Sequence, residues 1–367
     1  MRVLRVVAWS LALWTGSAGT GAWAQAQPPR PPARPRIVSP ELSPDGRATV
    51  RLLAPKATEV RVSGPAGNLP MVKGEDGVWS VTFGPLKPDV YEYRLILDGV
   101  TVLDPANQSI KSASDNFLYM PGSPPELWEE QKVPHGKVQI LWYDSKATGT
   151  LRRVHVYTPP GYDPTKRVRY PVLYLLHGAG DDDSGWMKIG RANAILDNLI
   201  AQGKARPMLI VMPVGQVPFR RDAPVSREAS QDLFAKDLLG DVIPLVESTY
   251  LARPGAANRA LVGLSMGGGQ TRRIALGKDA GERFQYVGVL SAGRQADDSV
   301  DADPEVLKKR LKLLWISCGA AEAMKGLPNW LTSHGVAHVY REYEGGHEWR
   351  VWRRSLGDLA PMLFGKD

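Results

Sequence analysis

Cysteine is almost absent from this 367-residue chain: Cys318 stands alone, so no intramolecular disulfide can staple the fold. The hydrophobic core has to hold it, which a chain of this length allows. Histidine is sparse too, with six residues, and His347-Glu348 lacks the second histidine of a zinc-binding H-E-x-x-H. We therefore expect no metal and no cofactor. Past residue 24 no run reaches 18 consecutive apolar residues, which excludes a helical membrane span there. The 46 Lys and Arg are scattered among 38 Asp and Glu rather than gathered into a stripe, for a formal charge of +8. That argues against nucleic acid as a partner.

One short apolar run does exist, at the start. Arg2 and Arg5 precede Val6-Val7-Ala8-Trp9-Ser10-Leu11-Ala12-Leu13-Trp14, and small residues lead to Ala22-Trp23-Ala24. A basic n-region, a short h-region and an A-x-A site mark residues 1–24 as a secretory signal peptide. The expectation is a secreted or periplasmic protein, without membrane contact after cleavage. Loss of Arg2 and Arg5 takes the formal charge from +8 to +6.

Residues 25–36 are proline-rich and read as an extended linker. From 37 to 120 the signals are all-β. In Val78-Trp79-Ser80-Val81-Thr82-Phe83 and Val90-Tyr91-Glu92-Tyr93-Arg94-Leu95, aromatic and aliphatic residues alternate onto one face, and Asp76-Gly77 and Asp98-Gly99 mark turns. Short strands at this spacing predict a small immunoglobulin-like sandwich. Its aromatics suit either a core or a sugar platform. Pro121-Gly122-Ser123-Pro124-Pro125 opens a linker over 121–134.

Residues 135–367 change character. Continuous apolar strands at 171–176, 208–212, 286–290 and 311–317 alternate with helical stretches at 192–202 and 233–248. Strands buried on both faces and separated by helices predict an α/β domain with a mostly parallel sheet.

Within it, Gly263-Leu264-Ser265-Met266-Gly267-Gly268 follows the strand Arg259-Ala260-Leu261-Val262 and precedes a helical stretch. A serine in G-x-S-x-G at a sharp strand-to-helix turn is lifted out of the sheet as a nucleophile. Such a serine needs a base, a group to orient that base, and donors for an oxyanion. In an open α/β sheet these lie past the C-terminal ends of strands. The strand 311–317 leads to Glu322, and the strand 338–343 leads to Glu344-Gly345-Gly346-His347. Ser265, Glu322 and His347 thus fall in the order nucleophile, acid, base. His135, His155, His334 and His338 lie before or within strands, and Asp297, Asp298, Asp301 and Asp303 follow the wrong strand. The strand 171–176 runs into His177-Gly178-Ala179-Gly180. Its backbone suggests Ala179 N–H (or Gly178 N–H) as an oxyanion donor beside Met266 N–H, with His177 bracing the loop. Trp186, Trp349 and Trp352 are candidates to wall a substrate site, or to pack in the core.

These motifs carry a resemblance. Val156-Tyr157-Thr158-Pro159-Pro160-Gly161-Tyr162, Leu175-Leu176-His177-Gly178, Val211-Met212-Pro213, the serine motif and Gly345-Gly346-His347-Glu348-Trp349 are similar to the feruloyl and acetyl-xylan esterases of carbohydrate esterase family one, within the esterase D-like α/β-hydrolases. Asp76-Gly77-Val78-Trp79-Ser80-Val81 and Leu103-Asp104-Pro105-Ala106-Asn107 resemble the E-set sandwich carried by many bacterial members. The resemblance implies a serine esterase acting on polysaccharide or small esters, with Ser265 as nucleophile and His347 as general base. Members usually have aspartate where this chain has Glu322. A siderophore esterase and a non-catalytic carbohydrate-binding protein on a hydrolase scaffold are the alternatives. Oligomeric state is left open.

Overall fold

The apolar patterns described above resolve, in a computed structural model, into three sheets. Described are residues 36–217, 226–278, 280–292, 303–322 and 324–365. The predicted signal peptide, all of the Pro-rich linker but Arg36, and Asp297, Asp298 and Asp301 lie outside these residues. Val38–Asp367 makes up one compact unit.

Its first part is built of antiparallel strands. One sheet runs Glu41–Leu42, Ala48–Leu53, Val78–Phe83, Val72–Lys73, and the other Gly67–Pro70, Val60–Gly64, Asp89–Leu97, Val100–Val102. Asn116–Met120 pairs with the near end of Asp89–Leu97. Val50, Leu52, Trp79 and Phe83 from the first sheet meet Val60, Val62, Tyr93 and Leu95 from the second in one apolar cluster. The period-two alternation puts Trp79 and Tyr93 into that cluster, 8% and 1% exposed, and not onto a surface platform. The short strands at 67–70, 72–73 and 100–102 escape sequence reading because they are exposed and show no alternation.

The second part is an eight-stranded sheet. From edge to edge it runs Lys137–Ser145, Thr150–Thr158, Leu209–Pro213, Val172–Leu176, Arg259–Leu264, Tyr286–Leu290, Leu313–Gly319 and Val339–Tyr343. The first two strands form an antiparallel hairpin and the second pairs antiparallel to the third. From Leu209–Pro213 onward every pairing is parallel. Fully buried central strands such as Val172–Leu176 carry side chains into apolar clusters on both faces, as a sheet sandwiched between helices requires. The predicted helix at 233–248 is instead a longer, broken element. Ser226 caps a helix Arg227–Asp237 by accepting from Ala229 N–H, a π-helical turn spans Leu238–Val242, and Ile243–Thr249 completes it. The extra residue in the wide turn shifts the register, which a regular 3.6-residue pattern does not reveal.

The two parts share a core. Val90 and Phe117 of the first join Trp128, Trp186, Trp349 and Trp352 of the second in one cluster. Beside it Asp89 pairs with Arg353, both buried. Arg353 also donates to Ile189 O at 2.8 Å and lies over the Trp128 ring. Loss of either partner of this buried pair would be destabilising, because the survivor would be an uncompensated charge.

Candidate active site

The strand Arg259–Leu264 ends at Ser265, whose φ of 50° places a non-glycine residue in the left-handed region. The turn is tight enough to dictate its neighbours. A Cβ at Gly263 would run into the Gly267 carbonyl, and one at Gly267 would lie 2.6 Å from His177 O and 2.7 Å from Leu176 Cβ. Glycine is required at both positions by close backbone approach. The helix Met266–Leu276 starts at once, so Met266 N–H is among the donors that the helix itself leaves unsatisfied.

His347 follows the last strand, Val339–Tyr343, and brings Nε2 to 2.8 Å from Ser265 Oγ. Its Nδ1 lies 2.9 Å from Glu322 Oε2. A carboxylate accepts only, so the ring carries its proton on Nδ1 and presents Nε2 as the acceptor for the serine hydroxyl. The strand before Glu322 lies two residues further along than its apolar pattern suggests, at Leu313–Gly319, and a 3₁₀ turn over Ala320–Glu322 delivers the carboxylate.

Glu322 is anchored on its other oxygen. Oε1 accepts from Gly319 N–H at 2.8 Å and from Ser291 Oγ–H at 2.6 Å. Burial pushes the carboxyl up, but hydrogen bonds from His347, Ser291 and Gly319 outweigh it and hold it below the usual glutamate range. Ser291 is a site residue that sequence reading missed. It is fully buried, has a φ of 47°, and accepts from Trp352 Nε1–H at 3.0 Å. An indole N–H can only donate, so it fixes the Ser291 hydroxyl as acceptor on that side and turns its proton toward Glu322. The only sequence signal was a serine directly after the apolar strand 286–290.

The three tryptophans separate. Trp186 is 1% exposed, donates to Leu176 O at 3.0 Å, and is absent from the cleft wall, which corrects its assignment to substrate binding. Trp349 stacks edge-on against both Trp186 and Trp352, and Trp352 packs edge-on against His347. Only Trp349 and Trp352 reach the cleft. The helix Trp349–Leu359 buries the rest of their rings against the sheet, so packing and site lining are both served.

Gly178 and Ala179 line the same cleft as Ser265 and His347. A Cβ on Gly178 would come within 2.6 Å of Leu264 and 3.3 Å of Ser265 Cβ, so that loop lies directly against the serine. Buried His177 donates from Nδ1 to Gly178 O at 2.8 Å and accepts Gly215 N–H on Nε2 at 2.9 Å. Burial pushes its pKa down, which keeps this bridge neutral. Further along, Asp183 receives His155 Nδ1 at 2.7 Å and two Arg153 bonds at 2.7 and 2.6 Å. Burial raises it, yet these partners win and hold it at about 2. Asp181, two residues earlier, goes the other way: burial lifts it to about 6. Asp303, a rival for the acid, caps the helix Pro304–Arg310 instead. Among the described residues no group of three or more His, Cys, Asp or Glu is placed to hold a metal ion.

The cleft has a volume of about 450 Å³, a size suited to a small ligand. A family model described as "Putative esterase" matches residues 145–362. The chain belongs to this esterase family. As a member it is a carboxylic ester hydrolase. Over 350 residues, 92% of its length, this esterase is 33% identical to an endo-1,4-beta-xylanase/feruloyl esterase of Xylanibacter ruminicola. The match covers 47% of that protein, so the chain spans about half the length of this curated relative. A CE1 ferulic acid esterase of Anaeromyces mucronatus, solved in complex with ferulic acid, is 26% identical with a TM-score of 0.55, over 65% of this chain and 94% of that one. The enterobactin esterase of Shigella flexneri, 18% identical, shares the fold with a TM-score of 0.61 over 87% of this chain and 93% of its own. Among the described residues no helix is long and apolar enough to cross a membrane.

Proposed function

We propose that this chain is an exported serine esterase that removes feruloyl or acetyl groups from plant cell-wall xylan. The observation that carries the reading is the unbroken series of hydrogen bonds from Ser265 Oγ through His347 to Glu322, opening into a cleft. His347 Nε2 takes the serine proton as Oγ attacks the ester carbonyl, and Glu322 holds the tautomer and stabilises the imidazolium. Met266 N–H and Ala179 N–H receive the oxyanion, each such donor contributing about 3 kcal/mol to transition-state stabilisation. The sugar alcohol leaves with the proton from His347, and a water activated by the same ring then releases the acid.

Residues 37–120 are assigned in this reading to an E-set immunoglobulin-like domain, 121–134 to a linker, and 135–367 to the esterase domain. The apolar edges of Trp349 and Trp352 suit the acyl group. Charge argues against a siderophore. The described cleft lining holds Asp89, Glu92, Asp181 and Glu348 against Lys111 and Arg350. Such a lining has no basic excess with which to attract a polyanionic catecholate ester.

The test is a substrate panel on the purified protein: methyl ferulate, p-nitrophenyl acetate, feruloylated arabinoxylan and a tris-catecholate lactone. Release of ferulate or acetate is expected from the first three. A higher kcat/KM on the lactone than on any of them would overturn the assignment.

A further inference from the structure

Part of the cleft lining does not come from the esterase sheet. Asp89, Val90, Tyr91 and Glu92 lie on the strand Asp89–Leu97, and Lys111 lies in the segment after it. All five precede the region matched by the family model, which begins at residue 145. The family motif therefore supplies the reacting groups, while a separate stretch of chain supplies this part of the lining.

Its chemistry is specific. Lys111 Nζ donates to Glu92 Oε2 at 2.6 Å, and the two side chains are only 24% and 36% exposed. One ammonium proton is used there, leaving Lys111 with two donors and Glu92 with its other oxygen as an acceptor. Asp181, next to the loop Gly178-Ala179-Gly180, is close enough to feel both: Lys111 draws its proton affinity down and Glu92 draws it up. Acceptors and donors thus line the same cleft as the loop Gly178-Ala179-Gly180, together with apolar Val90, Leu264, Trp349 and Trp352. A neutralised ion pair has little to offer an ionic ligand. It matches a neutral group that both donates and accepts, and adjacent hydroxyls of a sugar do both.

We infer that Glu92 and Lys111 form a subsite for the hydroxyl groups of the sugar portion of the ester, so that alcohol specificity is built by the β-rich region. The inference rests on the sugar-ester reading above. Binding energy gathered there orients the ester over Ser265, so a substrate that carries the sugar is turned over faster than one that lacks it.

The experiment compares methyl ferulate with a feruloylated arabino-oligosaccharide, in the full chain, for wild type, Glu92→Gln, Lys111→Met and the double variant. The double variant leaves no unpaired charge behind. The expected result is a loss of kcat/KM of roughly tenfold to a hundredfold on the oligosaccharide, with methyl ferulate unchanged. Equal losses on both substrates would make the pair structural and overturn the subsite. Variants equal to wild type on both would overturn it as well, leaving the sugar-ester reading intact. A wild type that hydrolyses methyl ferulate but no sugar ester would remove both.

Discussion

Ser265 and Ser291 occupy matching positions on neighbouring strands, yet they are put to different uses. Leu264 and Leu290 are paired in parallel register, and each serine is the next residue along. Both have positive φ, 50° and 47°, and each donates its N–H one strand over, Ser265 to Leu290 O and Ser291 to Ser317 O, both at 2.8 Å. After Ser265 a helix begins immediately, and its hydroxyl meets His347. Ser291 is sealed between Trp352 and Glu322. The same strained turn presents one hydroxyl to the cleft and aims the other inward at the acid. Strain of this kind costs of order 1–3 kcal/mol and persists only where the surroundings enforce it.

Substitution separates the two. Ser265→Ala is expected to lower kcat on methyl ferulate by about 10⁵-fold or more, with a melting temperature close to wild type, because alanine keeps the Cβ and the backbone strain. Residual activity within a hundredfold of wild type would exclude Ser265 as the nucleophile. Ser291→Ala should cost roughly tenfold in kcat with KM unchanged, since it touches the acid and not the substrate. It also carries a pH signature. The Ser291 bond favours ionised Glu322, so its removal raises the carboxyl pKa and moves the acidic limb of the kcat profile to higher pH. The loss of Trp352's acceptor adds about 1–3 kcal/mol of destabilisation. An acidic limb that stays in place would reduce Ser291 to packing.

The smallest effect expected is on stability, at Asp181. Its folded-state pKa is raised from the ordinary 3.8 to about 6, so the folded state binds more protons than the unfolded chain between those values. Stability therefore falls as pH rises from about 4 to about 6 and stays lower above. Asp181→Asn should remove this penalty, raising stability by about 1–2 kcal/mol at pH 8 and by nothing at pH 4. Thermal melts at the two pH values check it; an equal shift at both would refute the electrostatic cause.

Much of this was legible in the sequence, for local reasons. The elbow was recognisable because close approach at Gly263 and Gly267 forces glycine there, leaving a pattern in adjacent residues. Glu322 was reachable because a strand buried on both faces is a continuous apolar run whose end can be counted, whereas His347 follows a partly exposed edge strand and was marked by the Gly345-Gly346-His347 stretch after it. Ser291 left no such pattern. One serine after a strand looks like any other until Trp352, 61 positions away, is seen to donate to it.

The amino-acid order by itself determined the parallel sheet, the serine turn and the sequence Ser265, Glu322, His347, because periodicity and strand-end spacing are properties of neighbouring residues. Tertiary packing decided the rest: that Trp186 is sealed in the core, that Ser291 anchors Glu322, and that residues 89–92 and 111 wall the cleft. Asp89 and Arg353 stand 264 positions apart and meet only because two apolar surfaces close over them. Contacts at that separation depend on how whole layers pack, and no local pattern records them.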